Sequence, residues 1–148
     1  MVSRDTTTGS NYEAIIESCI KRSCEKNDLR AIGQAFVGVK PGGGKHRVDW
    51  EIVDNKDENI RGLVSCKYQG TSGTAEEKMA YEVIKLLHAM TVDNRYKKSW
   101  IIMGGEGWSP GMREFIKNHL PEWIPEMKDS VVILTTDEII NRGISLSK

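Results

Sequence analysis

Two short segments, residues 46–50 (HRVDW) and residues 63–69 (LVSCKYQ), decide the fold class of this chain. The first belongs to a run in which apolar and polar residues alternate, and the second has an apolar centre. Both patterns are typical of β-strands. Because only a polar turn at residues 54–59 separates them, we expect the two strands to pair as antiparallel neighbours. On such a pair the side chains of Asp49 and Lys67 would lie close together.

The elements around this pair alternate between helix and strand. The sequence predicts, in chain order, a helix at about 12–26, strands at 31–39, 48–53 and 60–68, a helix at 74–90, a strand at 98–103, a helix at 109–120, a strand at 131–134 and a helix, capped by Thr135 or Thr136, that ends near residue 141. Antiparallel strands come first and β-α-β crossovers follow. This order predicts an α/β fold, with a mixed sheet flanked by helices.

Length and charge limit the class of protein. The chain has 148 residues, the usual size of one domain, so we expect a flexible polar N-terminus at 1–10 and a single domain at 11–148. Lys and Arg number 21, as do Asp and Glu. The resulting net charge of zero disfavours a histone-like nucleic-acid binder but is compatible with a local basic groove.

Cysteine usage and the N-terminus predict the compartment. The 3 cysteines form no CxxC pair and the 3 histidines are scattered, so we expect free thiols in a reducing cytosol and no zinc site. Residues 1–10 lack the apolar segment of a secretory signal, and no run approaches the ~18 apolar residues of a membrane span. We therefore expect a cytoplasmic protein with no membrane partner.

An acid and a lysine on adjacent strands suit the hydrolysis of a phosphodiester. The carboxylate of Asp49 can hold a divalent ion, which activates water and neutralises developing charge. The ammonium group of Lys67 can orient that water or stabilise the transition state. Cys66 as the nucleophile of a thiol enzyme is a weak alternative, because no histidine is placed to activate it and its side chain should point away from Lys67.

This arrangement, together with the order of elements, resembles the PD-(D/E)XK nuclease superfamily over about residues 11–140. The resemblance implies a restriction-endonuclease-like α/β/α sandwich with a mixed central sheet. It also implies Mg²⁺ as the cofactor, for which Mn²⁺ can substitute, and DNA as the substrate. Small members usually dimerise, so a homodimer is expected.

The resemblance also assigns roles to individual residues. Asp49 resembles the metal-binding aspartate, Lys67 the lysine of the acid-x-Lys motif, and Glu13 the accessory glutamate of the first helix. The backbone carbonyl of Cys66 is the expected further metal ligand. Gln69, on the same strand face as Lys67, is a candidate for contact with the substrate or with a metal-bound water.

The chain departs from the family pattern at one position. Ser65 occupies the place of the second motif acid and is kept as a candidate site residue. A glutamate of the next helix can supply the missing carboxylate. At ~100° per residue, Glu76 lies nearer the centre of the buried stripe than Glu82, so Glu76 is the first choice and Glu82 the second. Glu77 is better explained as the acid of a capping box.

The loop at residues 40–47 is a candidate DNA contact. It combines three glycines with Lys40, Lys45, His46 and Arg47, and such groups can grip phosphates. The leading function is a Mg²⁺-dependent DNA endonuclease of restriction or mobile-element type. The alternatives are a structure-specific nuclease of Holliday-junction type and an inactive DNA-binding or dimerisation module with the nuclease fold.

Overall fold

A computed structural model of the chain describes the backbone of residues 4–69 and 75–146 and the side chains of residues 11–69 and 78–146. The strands described are β1 (Leu29–Val39), β2 (Lys45–Asp54), β3 (Arg61–Tyr68), β4 (Tyr96–Gly104) and β5 (Val131–Thr135). The helices described are α1 (Arg4–Asn27), α2 (Ala75–Val92), α3 (Pro110–Glu114), α4 (Leu120–Trp123) and α5 (Thr136–Arg142). No helix in these ranges is long and apolar enough to cross a membrane.

The five strands form one mixed sheet in the order β1-β2-β3-β4-β5. The first three strands pair antiparallel, because a short loop and a polar turn are enough to reverse the chain. The last three pair parallel, and helical segments make the crossovers that parallel pairing requires. The α/β fold with a mixed central sheet, expected from the order of elements, is confirmed.

Apolar residues pack on both faces of the sheet. The face covered by α2 includes the buried residues Val48, Leu63, Met79, Val83, Leu86 and Ile101. The face covered by α1 and α5 includes the buried residues Ile16, Ile20, Ile52, Val64, Ile102 and Ile139. Each such side chain stabilises the fold by roughly 1.5–3 kcal/mol relative to exposure, so the sheet is held between two helical layers.

Alternation along β3 assigns its residues to opposite faces. Leu63 packs on the α2 face, and Ser65 and Lys67 contact a residue of α2. The side chains of Val64 and Cys66 pack on the α1 face. The side chain of Cys66 therefore points away from those of Ser65 and Lys67, as the alternation predicts.

Two helix boundaries differ from the prediction. The first helix begins at Arg4 rather than near residue 12, so the expected domain boundary at residue 11 falls inside a helix. The helix that Ser109 caps does not end at Leu120 either. A π-helical turn at Phe115–His119 leads into α4, where Pro121 occupies the first turn and needs no backbone donor.

One close approach fixes the N-terminal half of α1 against the sheet. The hydroxyl of Tyr12 donates a hydrogen bond to the Ile102 carbonyl at 2.9 Å. The ring of Tyr12 lies directly on Gly104, where an added Cβ would come within 2.0 Å of the ring. Gly104 is therefore required for this packing, and the contact holds α1 next to the ends of β3 and β4.

We expect Gly104→Ala to destabilise the protein by about 1–3 kcal/mol, because the new methyl group overpacks the Tyr12 contact. Gly111→Ala is the matched control, since a Cβ at Gly111 would meet nothing within 4 Å. Urea unfolding of both variants measures the difference. Equal stability of the two variants would contradict the packing described for Tyr12.

Candidate active site

Asp49 lies where the pairing of β2 with β3 ends. Paired residues run from Val53 and Arg61 to Trp50 and Val64. Beyond this point the Oδ2 atom of Asp49 accepts a hydrogen bond from the Cys66 backbone amide at 2.7 Å. The Asp49 carboxylate thus accepts the hydrogen bond that a backbone carbonyl of a paired strand would accept. This bond holds the carboxylate at the point where the two strands part.

A buried carboxylate lies on the other side of β3. Glu82 of α2 is only 4% exposed. Its Oε2 accepts a hydrogen bond from the Ser65 hydroxyl at 2.8 Å, and its Oε1 lies 3.1 Å from Lys67 Nζ and 3.0 Å from Lys85 Nζ. Both carboxylate oxygens are therefore engaged, and Glu82 fixes the position of the Lys67 ammonium group.

These partners keep Glu82 ionised in spite of its burial. Burial by itself raises the pKa of the carboxyl group. The charge of Lys67 and the hydrogen bonds from Ser65 and Lys85 outweigh that effect and hold the pKa below its ordinary value. The cluster of Ser65, Lys67, Glu82 and Lys85 thus pairs one negative charge with two positive ones and keeps a net positive charge.

The structure brings together the second-choice glutamate of the sequence analysis with Ser65 and Lys67. The side chain of Glu76, the first choice, and that of Glu77 lie outside the described residues. Lys85 was missed by the sequence analysis. Its spacing of three residues from Glu82 on one helix face was the available signal.

The groups around the Cys66 thiol bring further candidates together. Burial raises the pKa of this thiol, and the charges of Asp49 and Glu13 raise it further, whereas Lys67 lowers it. The net effect is a raised pKa, so the thiol stays protonated and is a poor nucleophile. The charges of Asp49, Glu13 and Lys67 thus all act on the Cys66 thiol.

The chemistry of these groups fits a weakly coordinated divalent ion better than a closed metal cage. Within the described residues, no three His, Cys, Asp or Glu side chains form a ready metal site. Mg²⁺, however, is usually held by one or two carboxylates and several waters. The Asp49 carboxylate and the Cys66 carbonyl are oxygen donors of the kind that such a site uses, and Glu13 stays a predicted further ligand, whereas both oxygens of Glu82 already have partners.

Gln69 connects the end of β3 to the loop that follows β4. Its side-chain amide donates to the Gly107 carbonyl at 2.9 Å, and its backbone carbonyl accepts from the Gly107 amide at 2.7 Å. Gly105, at a φ of +91°, packs so closely on Gln69 that a Cβ would come within 2.3 Å of its carbonyl oxygen. Gln69 therefore positions this loop, and its contact with substrate stays a prediction.

The basic loop forms the tip of the β1–β2 hairpin. The exposed cations Lys45 and Arg47 lie 5.3 Å and 6.0 Å from the centre of the Phe36 ring. Tyr81 of α2 donates a hydrogen bond from its hydroxyl to the Pro41 carbonyl at 2.7 Å. This bond joins the hairpin tip to the helix that carries Glu82.

His46 differs from its neighbours in the loop. Its side chain is 2% exposed, and neither ring nitrogen has a hydrogen-bond partner within the part of the chain that the structure describes. Burial lowers its pKa, which favours the neutral ring. The side chain lies below the surface, so His46 does not share the exposure of its neighbours Lys45 and Arg47, whose contact with DNA stays a prediction.

A cavity of about 450 Å³ lies at the carboxyl ends of the parallel strands. Tyr12, Tyr68 and Trp108 are among its lining residues. Tyr12 also interacts with the Cys66 thiol and lies within electrostatic range of Asp49. Tyr12 therefore belongs both to the wall of the cavity and to the surroundings of the Cys66 thiol.

The chain matches a known protein family. A family model that describes a PD-(D/E)XK nuclease superfamily domain matches residues 8–143. Comparison with curated proteins and comparison with solved structures each gave no significant match.

The Glu82 cluster predicts a specific pH dependence of stability. Because the folded-state pKa of Glu82 lies below the ordinary value of 4.5, its stabilising effect is present above that value and is lost as the pH falls through the folded pKa. We expect Glu82→Gln to cost about 2 kcal/mol at neutral pH and progressively less in acid.

Urea unfolding at neutral pH and at successive pH values below 4.5 measures this difference. The control is Glu25→Gln, which changes an exposed carboxylate of α1. A loss of stability for Glu82→Gln that stays constant across the pH range would contradict the described charge pairing.

Proposed function

The chain belongs to the PD-(D/E)XK nuclease superfamily, and we propose that it is a Mg²⁺-dependent DNA endonuclease. Membership of the superfamily implies a nuclease, a hydrolase that acts on nucleic acid, and such nucleases typically use divalent metal ions. The choice of DNA, of Mg²⁺ and of internal cleavage is our proposal.

One observation carries the proposal. The carboxylate of Asp49 and the ammonium group of Lys67 flank the same short stretch of β3, and each is held by a partner within the fold. Metal-assisted hydrolysis of a phosphodiester uses a carboxylate that can hold the metal ion and a cation that can stabilise the charge developing on the phosphoryl oxygens. Asp49 and Lys67 supply these two groups on rigid strands.

The buried glutamate argues against an inactive module. Burying a carboxylate is costly unless it is paired, and replacing an ion pair by apolar residues is often neutral or stabilising. A glutamate with an exclusively structural role would need a cationic partner, but that partner would not have to be Lys67, the motif lysine. We infer that Glu82, with Ser65, compensates for the missing motif acid by positioning Lys67.

In the proposed mechanism metal binding, transition-state stabilisation and positioning are carried out by different residues. Asp49 and Glu13, with the Cys66 carbonyl, would hold Mg²⁺, which supplies an activated water and neutralises charge. Lys67 donates a hydrogen bond to a non-bridging oxygen of the scissile phosphate and stabilises the transition state. Glu82 and Ser65 act as positioning residues for Lys67.

Substrate binding is proposed at the cations of the β1–β2 hairpin, of which Lys45 and Arg47 are exposed and Lys40 is partly exposed. Lys45 and Arg47 lie on β2, the strand that also carries Asp49, and Lys40 begins the loop. Contacts from these side chains to phosphates would orient the DNA without reading its sequence. A homodimer would place two such sites on the two strands of a duplex.

We expect Asp49→Asn to abolish cleavage of supercoiled plasmid in Mg²⁺ while the protein stays folded. The amide is nearly isosteric but lacks the charge that holds the ion. Asp54→Asn, at the far end of the same strand, is the matched control and should cut normally. Wild-type cleavage by Asp49→Asn at equal protein and metal concentrations would contradict the assignment.

We expect Lys67→Ala to lower the cleavage rate by a factor of about 100 or more and to leave DNA affinity nearly unchanged. A group needed mainly in the transition state affects the rate more than ground-state binding. Single-turnover cleavage and a binding titration separate the two quantities, with exposed Lys97 changed to Ala as the control. Normal cleavage with weakened binding would contradict this role and would indicate that Lys67 only binds a phosphate of the substrate.

A further inference from the structure

Phe36 is an exposed aromatic side chain in a charged setting. It lies on β1, the edge strand, and is 60% exposed. Leaving a phenylalanine in water forgoes the stabilisation of burial, although single exposed apolar side chains are common on monomers. The positive charges of Lys45 and Arg47 beside its ring distinguish this site from an ordinary apolar patch.

Phe36 belongs to the same sheet face as the candidate catalytic aspartate. Arg47 is its partner in the pairing of β1 with β2. On β2, His46 and Val48 are buried, whereas Lys45 and Arg47 are exposed. Alternation therefore places Lys45 and Arg47 on the face opposite His46 and Val48.

Asp49 continues this row. Its carboxylate lies near Cys66 and within electrostatic range of Tyr12, on the α1 face of the sheet. Side chains two residues apart on a strand are separated by about 6.7 Å, a distance similar to that between neighbouring phosphates of a nucleic-acid strand. A strand whose scissile phosphate lies at Asp49 would therefore bring its next phosphates to Arg47 and Lys45.

We propose that Phe36 is a stacking platform for an unpaired nucleobase close to the scissile phosphate, held between the phosphate contacts of Lys45 and Arg47. The proposal rests on the proposed nuclease function and narrows its substrate. A base inside a duplex has both faces covered by its neighbours, whereas an unpaired base offers a face to an aromatic ring. The preferred substrate is then DNA that is single-stranded, or has an unpaired segment, beside the cut.

Charge complementarity favours nucleic acid over a second copy of the chain as the occupant. Two cations beside an exposed ring match a polyanion that carries aromatic bases. A self-associating copy would instead bring two sets of Lys45 and Arg47 toward each other, which is unfavourable unless acidic groups intervene. The experiment must therefore distinguish binding of nucleic acid at this face from dimerisation through it.

The test compares oligonucleotide affinities without metal, so that cleavage plays no part. Fluorescence anisotropy with a labelled single-stranded thymidine oligonucleotide and a duplex of equal length is measured in EDTA. We expect Phe36→Ala to weaken single-strand binding about tenfold, since stacking on an aromatic side chain is typically worth a factor of that order or more. Duplex affinity should change little, and Phe36→Trp should retain single-strand binding.

Val39→Ala is the matched control, because Val39 is 61% exposed on the same strand and offers no ring. Three results would contradict the proposal that Phe36 is a stacking platform. These are an equal loss of affinity for single strand and duplex in Phe36→Ala, no loss of single-strand affinity, and a wild-type dimer that dissociates in Phe36→Ala. Failure of the nuclease function has a different signature: the wild type would not cut in Mg²⁺, although the single-strand preference would persist in EDTA.

Discussion

The carboxylate of Glu82 is buried between one hydroxyl and two ammonium groups, and the geometry of the site depends on this arrangement. An ionised group at such a position is tolerated only when its oxygens are paired. Each partner is thereby fixed as well. The result is that α2 is joined to β3 at one defined point, and the ammonium group of Lys67 is presented at the end of the strand rather than moving freely in solvent.

The mixed sheet explains how groups from two faces come to share one site. Alternation on β3 directs Lys67 toward α2 and Cys66 toward α1, so neither face alone contains all the candidates. Pairing of β2 with β3 stops at Trp50 and Val64, and Asp49 fills the resulting gap with its carboxylate. Asp49, Cys66 and Lys67 are each partly exposed where the strands part, which makes this end of the sheet suitable for chemistry.

The sequence predicts those features that depend on local pattern. Strands are recognised in the sequence by the alternation of apolar and polar residues, and helix starts are recognised by their capping residues. In the structure Ser109 accepts a hydrogen bond from the Met112 amide, and Thr135 forms a capping box with Glu138. The order of these elements is sufficient to predict a mixed sheet. The start of α1 at Arg4 was missed, because the Thr- and Ser-rich segment before residue 12 has no apolar periodicity and weak helix propensity.

Tertiary contacts determine the features that could not be predicted from the sequence. A helical wheel ranks Glu82 only by its angle to the apolar stripe, whereas its position depends on Lys67 of another element and on Lys85. The same limit applies to His46. Alternation with Val48 predicts an inward side chain, but the basic composition of the loop suggested a DNA contact, and the structure shows the ring buried.

Anomalous scattering from Mn²⁺ in crystals of the wild-type protein tests the central assignment most directly, because it locates the ion without reference to activity. The account predicts a peak beside the Asp49 carboxylate, with the pairing of Lys67 and Glu82 intact. A peak found only at other acidic groups, such as Glu106 and Asp137 beside the cavity, would contradict it.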